Sequence, residues 1–135
     1  MLGTSLLILG YGNPLRGDDA MGLVAAERLG GIAALQLTPE LAEQIAQADT
    51  VVFLDAEATV APGEISVTAV VPTDGTLDHQ ATPGGLLLLV RMVYGAIPKS
   101  WLIGMGGEDF GLREGLTAAA ERAVERAVAF VRSSS

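Results

Sequence analysis

The chain reads as an α/β protein with an open sheet covered by helices on both faces and one strand running against the others. Three observations lead there. Apolar runs alternate with helical stretches in the order β-α-β-α-β-β-α-β-α, the pattern of a sheet flanked by helices. From Leu116 onward, Ala119, Ala120, Ala123, Val124, Ala127, Val128 and Val131 fall on one helix face, with Glu121, Arg122, Glu125, Arg126 and Arg132 opposite. Between the third and fourth strands there is only EATVAPG. A parallel crossover needs about a dozen residues or more, so the fourth strand is antiparallel.

Each element has its own warrant. Ser5 to Leu9 is a short buried strand that breaks at Gly10 and Gly12. Asp19 opens a helix running to about Leu29, because an acidic residue in the first turn suits the helix dipole. AALQL is a weak second strand. TPELAEQIAQA starts a helix with Thr38 as N-cap and Pro39 at the first helical position. TVVFLDA, rich in β-branched residues, is a strand that ends on Asp55, and Glu64 to Val71 is the next. ATPGGLLLLVRMVYGAIP repeats the start signal with Thr82 and Pro83, and Gly95 and Pro98 stop the helix. SWLIGMG is the last strand.

At 135 residues, half of them apolar and 18% charged, the chain is one domain spanning 1–135. Its formal net charge of −8 argues against sequence-independent nucleic-acid binding, which needs clustered Lys and Arg. The absence of cysteine removes a thiolate nucleophile, a disulfide framework and a zinc-thiolate site. The N-terminus lacks a basic leader, and the longest apolar block, around Leu86 to Val93, falls far short of the ~18 residues that span a bilayer. A soluble cytoplasmic protein with no membrane partner is expected. No exposed apolar helix face is expected either, which favours a monomer.

The antiparallel strand bears on function. It begins at the carboxyl edge of the sheet and ends at the other, so PTDGTLDHQA has to climb back. Ten residues reach about 33 Å, and an eight-residue strand is about 27 Å long. The span delivers Asp78 and His79 to the edge where Asp55 ends its strand, and ligands of open α/β sheets bind at that edge. Four segments converge there, carrying Asn13, Asp18 and Asp19; Asp55; Asp78 and His79; and Glu108 and Asp109. Two carboxylates and an imidazole suit a borderline divalent metal such as nickel or zinc, with coordination positions left open. Taken singly, the residues have plainer readings. Asp18 and Asp19 are also candidate helix caps, Asp55 a solvated strand end, His79 a surface histidine, and Glu108 and Asp109 an exposed turn. What distinguishes them is their shared edge and the presence of the chain's one histidine.

Several mechanisms are excluded. There is no G-x-S-x-G serine for His79 and no H-E-x-x-H. GYGNPL opens like a dinucleotide fingerprint, but Leu15 stands where the third glycine belongs. A signalling receiver domain also pairs two acidic residues with a strand-end aspartate. There the pair directly follows the first strand and a lysine ends the fifth; here the pair lies eight and nine residues past Gly10, and Lys99 precedes its strand.

GYGNPLRGDDAMG, VVFLDAEATVAPGEI, DHQATP and GMGGEDFGLREGLT occur in that order. From about Leu6 to Val131 the chain resembles the hydrogenase maturation endopeptidases, which process the large subunit of nickel-iron hydrogenases. LQLTPELAE is most similar to the subgroup serving bidirectional, NAD(P)-coupled hydrogenases. The resemblance implies a three-layer α/β/α sandwich with a mixed five-stranded sheet in the order 2-1-3-5-4, strand 4 antiparallel. It implies a metal-dependent, aspartic-type endopeptidase that removes a C-terminal extension from the nickel-iron hydrogenase large-subunit precursor once nickel is inserted. The nickel comes with the substrate, and Asp19, Asp55 and His79 match the family's metal-binding positions. Asp18 is either a general base or a group that orients its neighbour. Asn13 and the backbone from Gly10 through Gly12 to Asn13 hold the substrate strand or an oxyanion. The family pattern usually has glycine after the acidic pair, whereas this chain has Ala20, which disfavours φ > 0. A non-catalytic nickel-checking chaperone of the same precursor is the alternative.

Overall fold

A computed structural model describes residues 5–73 and 82–134. Among them, β1 (Leu6–Tyr11) leads through a 3-10 turn (Gly17–Ala20) into α1 (Met21–Arg28). β2 (Ile32–Ala34) follows, then a second 3-10 turn (Pro39–Leu41) continuing into α2 (Ala42–Ala46), then β3 (Thr50–Ala56) and β4 (Ile65–Ala69). The chain closes with α3 (Pro83–Tyr94), β5 (Lys99–Met105) and α4 (Ala118–Ser134). The sheet order is β2-β1-β3-β5-β4. All pairings are parallel except β4 against β5, where Ile65 faces Met105 and Ala69 faces Trp101. The short link after β3 returns the chain as an antiparallel strand.

Strand alternation divides the core into two halves. Ile8, Val52, Leu54, Ile103 and Met105 meet α1 and α4 on one face. Leu9, Val51, Phe53 and Leu102 meet α2 and α3 on the other. The result is a three-layer α/β/α sandwich. The seven residues assigned to the inner face of the last helix are its seven buried residues. Arg28 of α1 and Glu121 of α4 pair across the outer layer.

Some boundaries move. β1 extends through Gly10 and Tyr11, because Gly10 stays paired with both β2 and β3 and Tyr11 with β2. Asp19 does not open α1; it sits in the 3-10 turn ahead of it, and neither this turn nor α1 has a side-chain cap. Thr38 stands at the N-cap position in extended conformation, but its side chain accepts no capping bond. Thr82 does cap, accepting from Gly85 N at 3.0 Å, and Gly95 closes α3 with φ +88°. Ala20 adopts φ −78°, so this backbone makes no demand there that alanine resists. The expected absence of an exposed apolar helix face is corrected. Met92, Val93 and Tyr94 in the last turn of α3 are at least half exposed, whereas Leu86, Leu87 and Val90 earlier in the helix are buried in the core.

The seating of α1 determines where the acidic pair goes. A Cβ on Gly10 would lie 1.9 Å from Gly22 O and 2.6 Å from Ala26 Cβ. α1 therefore lies directly on the strand backbone. Gly12, at φ +153°, would place a Cβ 2.0 Å from Asp19 O. Both glycines serve close backbone approach. Gly10→Ala is expected to destabilise the fold by about 3 kcal/mol, since the obstruction is backbone that cannot rotate away. Urea unfolding measures this, and an unchanged midpoint contradicts the packing argument.

Candidate active site

The two adjacent aspartates separate because of what surrounds each. Asp18 is fully buried. Its Oδ2 accepts from Glu108 N at 2.7 Å, Asp109 N at 3.0 Å and Thr117 Oγ1 at 2.7 Å, and its Oδ1 accepts from Thr117 N at 2.8 Å. Asp18 N in turn donates to Asp109 O at 2.8 Å. Thr117 is the N-cap of α4, its hydroxyl also accepting from Ala120 N at 3.2 Å. Burial favours the protonated acid, but the bonds from Thr117, Asp109 and Glu108 overcome it and hold the carboxyl below its ordinary range. Asp18 thus joins the 3-10 turn, the loop after β5 and the start of α4. Both its oxygens are engaged, and it does not line the neighbouring cleft.

Asp19 lies on the opposite side of the turn. Its Oδ2 accepts from Asn13 N at 2.8 Å, and Asn13 Oδ1 accepts from Leu15 N at 2.9 Å. These bonds fold residues 13–16 into a closed loop. The amide expected to receive an oxyanion at Asn13 is therefore already occupied, and Gly12 N donates to Ala34 O at 3.3 Å. Gly10 packs under α1 rather than in the cleft.

The cleft itself occupies about 570 Å³ at the carboxyl edge of the sheet, beside the ends of β1, β2 and β3. Tyr11, Asn13, Arg16, Asp19, Leu35 and Asp55 line it, together with Gly12. Tyr11 Oη donates to Asp55 Oδ2 at 3.1 Å. Burial pushes the Asp55 carboxyl up to about 7 against the pull of the Tyr11 bond, and the charges of Glu57 and Asp19 add to the rise. Burial also raises the Tyr11 phenol, and the Asp55 charge and hydrogen bond reinforce it. Two carboxylates in one partly desolvated cleft repel, and a cation relieves the repulsion.

Asp19 and Asp55 therefore meet in one cleft. Asp78 and His79 lie outside the described residues, whose flanks, Thr73 N and Gly84 O, bond to each other at 3.0 Å. No group of three metal-ligating side chains forms among the described residues. Glu108 and Asp109 occupy the turn held by Asp18, with Asp109 bonded to Gly111 N at 2.9 Å and Arg113 at 3.1 Å. Lys99 is the first residue of β5, at the far end of the strand from the edge a receiver domain would need. Tyr11 and Arg16 were not anticipated. Tyr11 is the next residue on the strand face that carries Leu9, a signal that period-2 counting through the glycines would have caught.

No family model matches the chain, and no curated protein matches it in sequence. Solved structures do match. The NiFe hydrogenase maturation protease HycI from Thermococcus kodakarensis superposes with a TM-score of 0.77 at 28% identity, over 96% of this chain and 91% of that one. The chain is a structural relative of the hydrogenase maturation proteases. The hydrogenase maturating endopeptidase HybD from E. coli gives the same score and identity over 97% and 91%. An endopeptidase from Escherichia coli solved in solution scores 0.72 at 27% identity over 95% and 90%. The likeness to these proteases thus extends along nearly the whole of both chains. No helix among the described residues is long and apolar enough to cross a membrane.

Asp18, fully buried, and Asp55, partly buried, give opposite pH dependences. The Asp18 contribution to stability is complete above the unfolded value near 4 and is lost as pH falls through the lower folded value. Asp18→Asn, which sets an amide against four donors, is expected to cost about 3 kcal/mol at pH 7. Asp55 runs the other way. With its folded value raised to about 7, the folded state retains a proton that the unfolded chain releases, so stability falls between about pH 4 and 7. Asp55→Asn is expected to stabilise the protein at pH 8 by roughly 2 kcal/mol and to do little at pH 4. Chemical denaturation at both pH values decides it, and equal effects at the two would refute the assignment.

Proposed function

We propose that this protein is an endopeptidase that removes the C-terminal extension of a nickel-iron hydrogenase large-subunit precursor after nickel insertion. The observation that carries the reading is the pair Asp19 and Asp55 in one cleft at the carboxyl edge of the sheet. Likeness to maturation proteases over nine-tenths of both chains supports it.

The chemistry follows from what the chain lacks and what the cleft offers. Without a cysteine or an activated serine, cleavage has to draw on an electrophile or a bound water. Asp19 and Asp55, with His79 as the third donor, engage the nickel that the substrate carries. Three protein donors leave coordination positions for the scissile carbonyl or a water, both ordinary roles of a metal ion in hydrolysis. Cleavage then depends on metal loading, because an unloaded precursor brings no cation to the cleft. Asp18 serves by holding the turn on which Asp19 stands. Arg16, a cation beside two carboxylates, offers a contact for the substrate chain. The proposed site of action is the cytoplasm.

Incubating the protein with nickel-loaded and nickel-free precursor and weighing the intact products tests this. A shortened product is expected with the loaded precursor alone, and His79→Ala or Asp55→Ala is expected to slow its appearance roughly 100-fold or more while leaving the fold intact. Cleavage at the wild-type rate by His79→Ala removes it from the ligand set. An unshortened precursor held in a stable complex identifies a chaperone instead.

A further inference from the structure

Tyr11 does something that neither the acidic pair nor the glycine turn explains. It is the last residue of β1, and the parallel register ends with Gly10 beside Leu54, so that one residue further along each strand Tyr11 and Asp55 fall on the same sheet face. Its ring packs against the core cluster beneath α2 and α3, while its hydroxyl reaches Asp55 Oδ2 at 3.1 Å. Asp55 is therefore not a freely rotating carboxylate at a strand end. One named oxygen is held by a phenol that is itself anchored in the core, and both groups line the cleft.

We infer that Tyr11 is a positioning residue: by holding Asp55 Oδ2, it presents the other carboxylate oxygen, Oδ1, to a divalent cation in the cleft. This rests on the reading of Asp55 as a cation ligand. The physical reason is general. A carboxylate ligand whose second oxygen is held by a protein donor is fixed in orientation before the ion arrives. Loss of such an outer hydrogen bond typically weakens metal binding 10- to 100-fold. A merely structural hydroxyl, present to satisfy a buried carboxylate, would alter stability without altering affinity for the ion.

The probe is nickel(II) alone, titrated calorimetrically into the purified wild type, Tyr11→Phe and Asp55→Ala. Urea midpoints are recorded for each protein, and processing of nickel-loaded precursor is followed in parallel. Tyr11→Phe keeps the ring and loses one oxygen, so folding is expected to survive. The expected result is nickel binding by the wild type, at least about 10-fold weaker binding by Tyr11→Phe, and none by Asp55→Ala. Wild-type affinity in Tyr11→Phe overturns the inference, as does a wild type that binds no nickel or an Asp55→Ala variant that binds as well as the wild type. A Tyr11-dependent affinity in a protein that cuts no precursor overturns the peptidase reading and leaves this one standing. Cleavage that is unaffected while Tyr11→Phe binds nickel normally does the reverse.

Discussion

A buried carboxylate with four hydrogen bonds organises this molecule. Asp18 accepts from two consecutive amides of the loop after β5 and from both the amide and hydroxyl of Thr117. Bonds to a charged acceptor are individually worth roughly 1.5–3 kcal/mol, and they have to outweigh the desolvation of a carboxylate that no solvent reaches. Three chain segments far apart in sequence are joined at this point. The adjacent aspartate is left on the other side of the turn, in the cleft. Two neighbouring carboxylates coexist because one is satisfied by the protein and the other is offered to the solvent-filled cleft.

The glycines do the complementary work. With no Cβ at Gly10, α1 rests on the strand backbone, so the 3-10 turn that precedes it arrives at the sheet edge rather than above it. Asp55 reaches the same edge by a different route, as the penultimate residue of β3. Its burial beside Tyr11 is costly in isolation, which accounts for its raised titration. A carboxylate kept in such surroundings is poised for a cation, since the ion supplies what the lost water did.

Most of the architecture was legible in the sequence, for reasons that can be named. α4 shows its buried face because alanine and valine recur at helical spacing without interruption. β4 had to be antiparallel because its link was too short. Thr82 and Gly95 mark both ends of α3 through local chemistry alone. The same kind of local signal misled at Thr38, where the threonine-proline start is present but no side-chain bond forms. Strand ends were set too early at the glycines, since hydrogen bonding to neighbouring strands, invisible in one segment, carries β1 on to Tyr11. The role of Asp18 depends on Glu108, Asp109 and Thr117, some ninety or more residues away, and no spacing rule connects them. Tyr11 was hidden for a related reason: its partner belongs to another strand. His79 lies outside the described residues.

The central claim is that the anchoring of Asp18 and the burial of Asp55 put two carboxylates around one cation position. Diffraction from crystals soaked in nickel, collected at the nickel absorption edge, tests it most directly. The account predicts an anomalous peak in the cleft with carboxylate oxygens of both Asp19 and Asp55 at about 2.0–2.2 Å. A peak bound to only one of them, or none in the cleft at full soak, would contradict it.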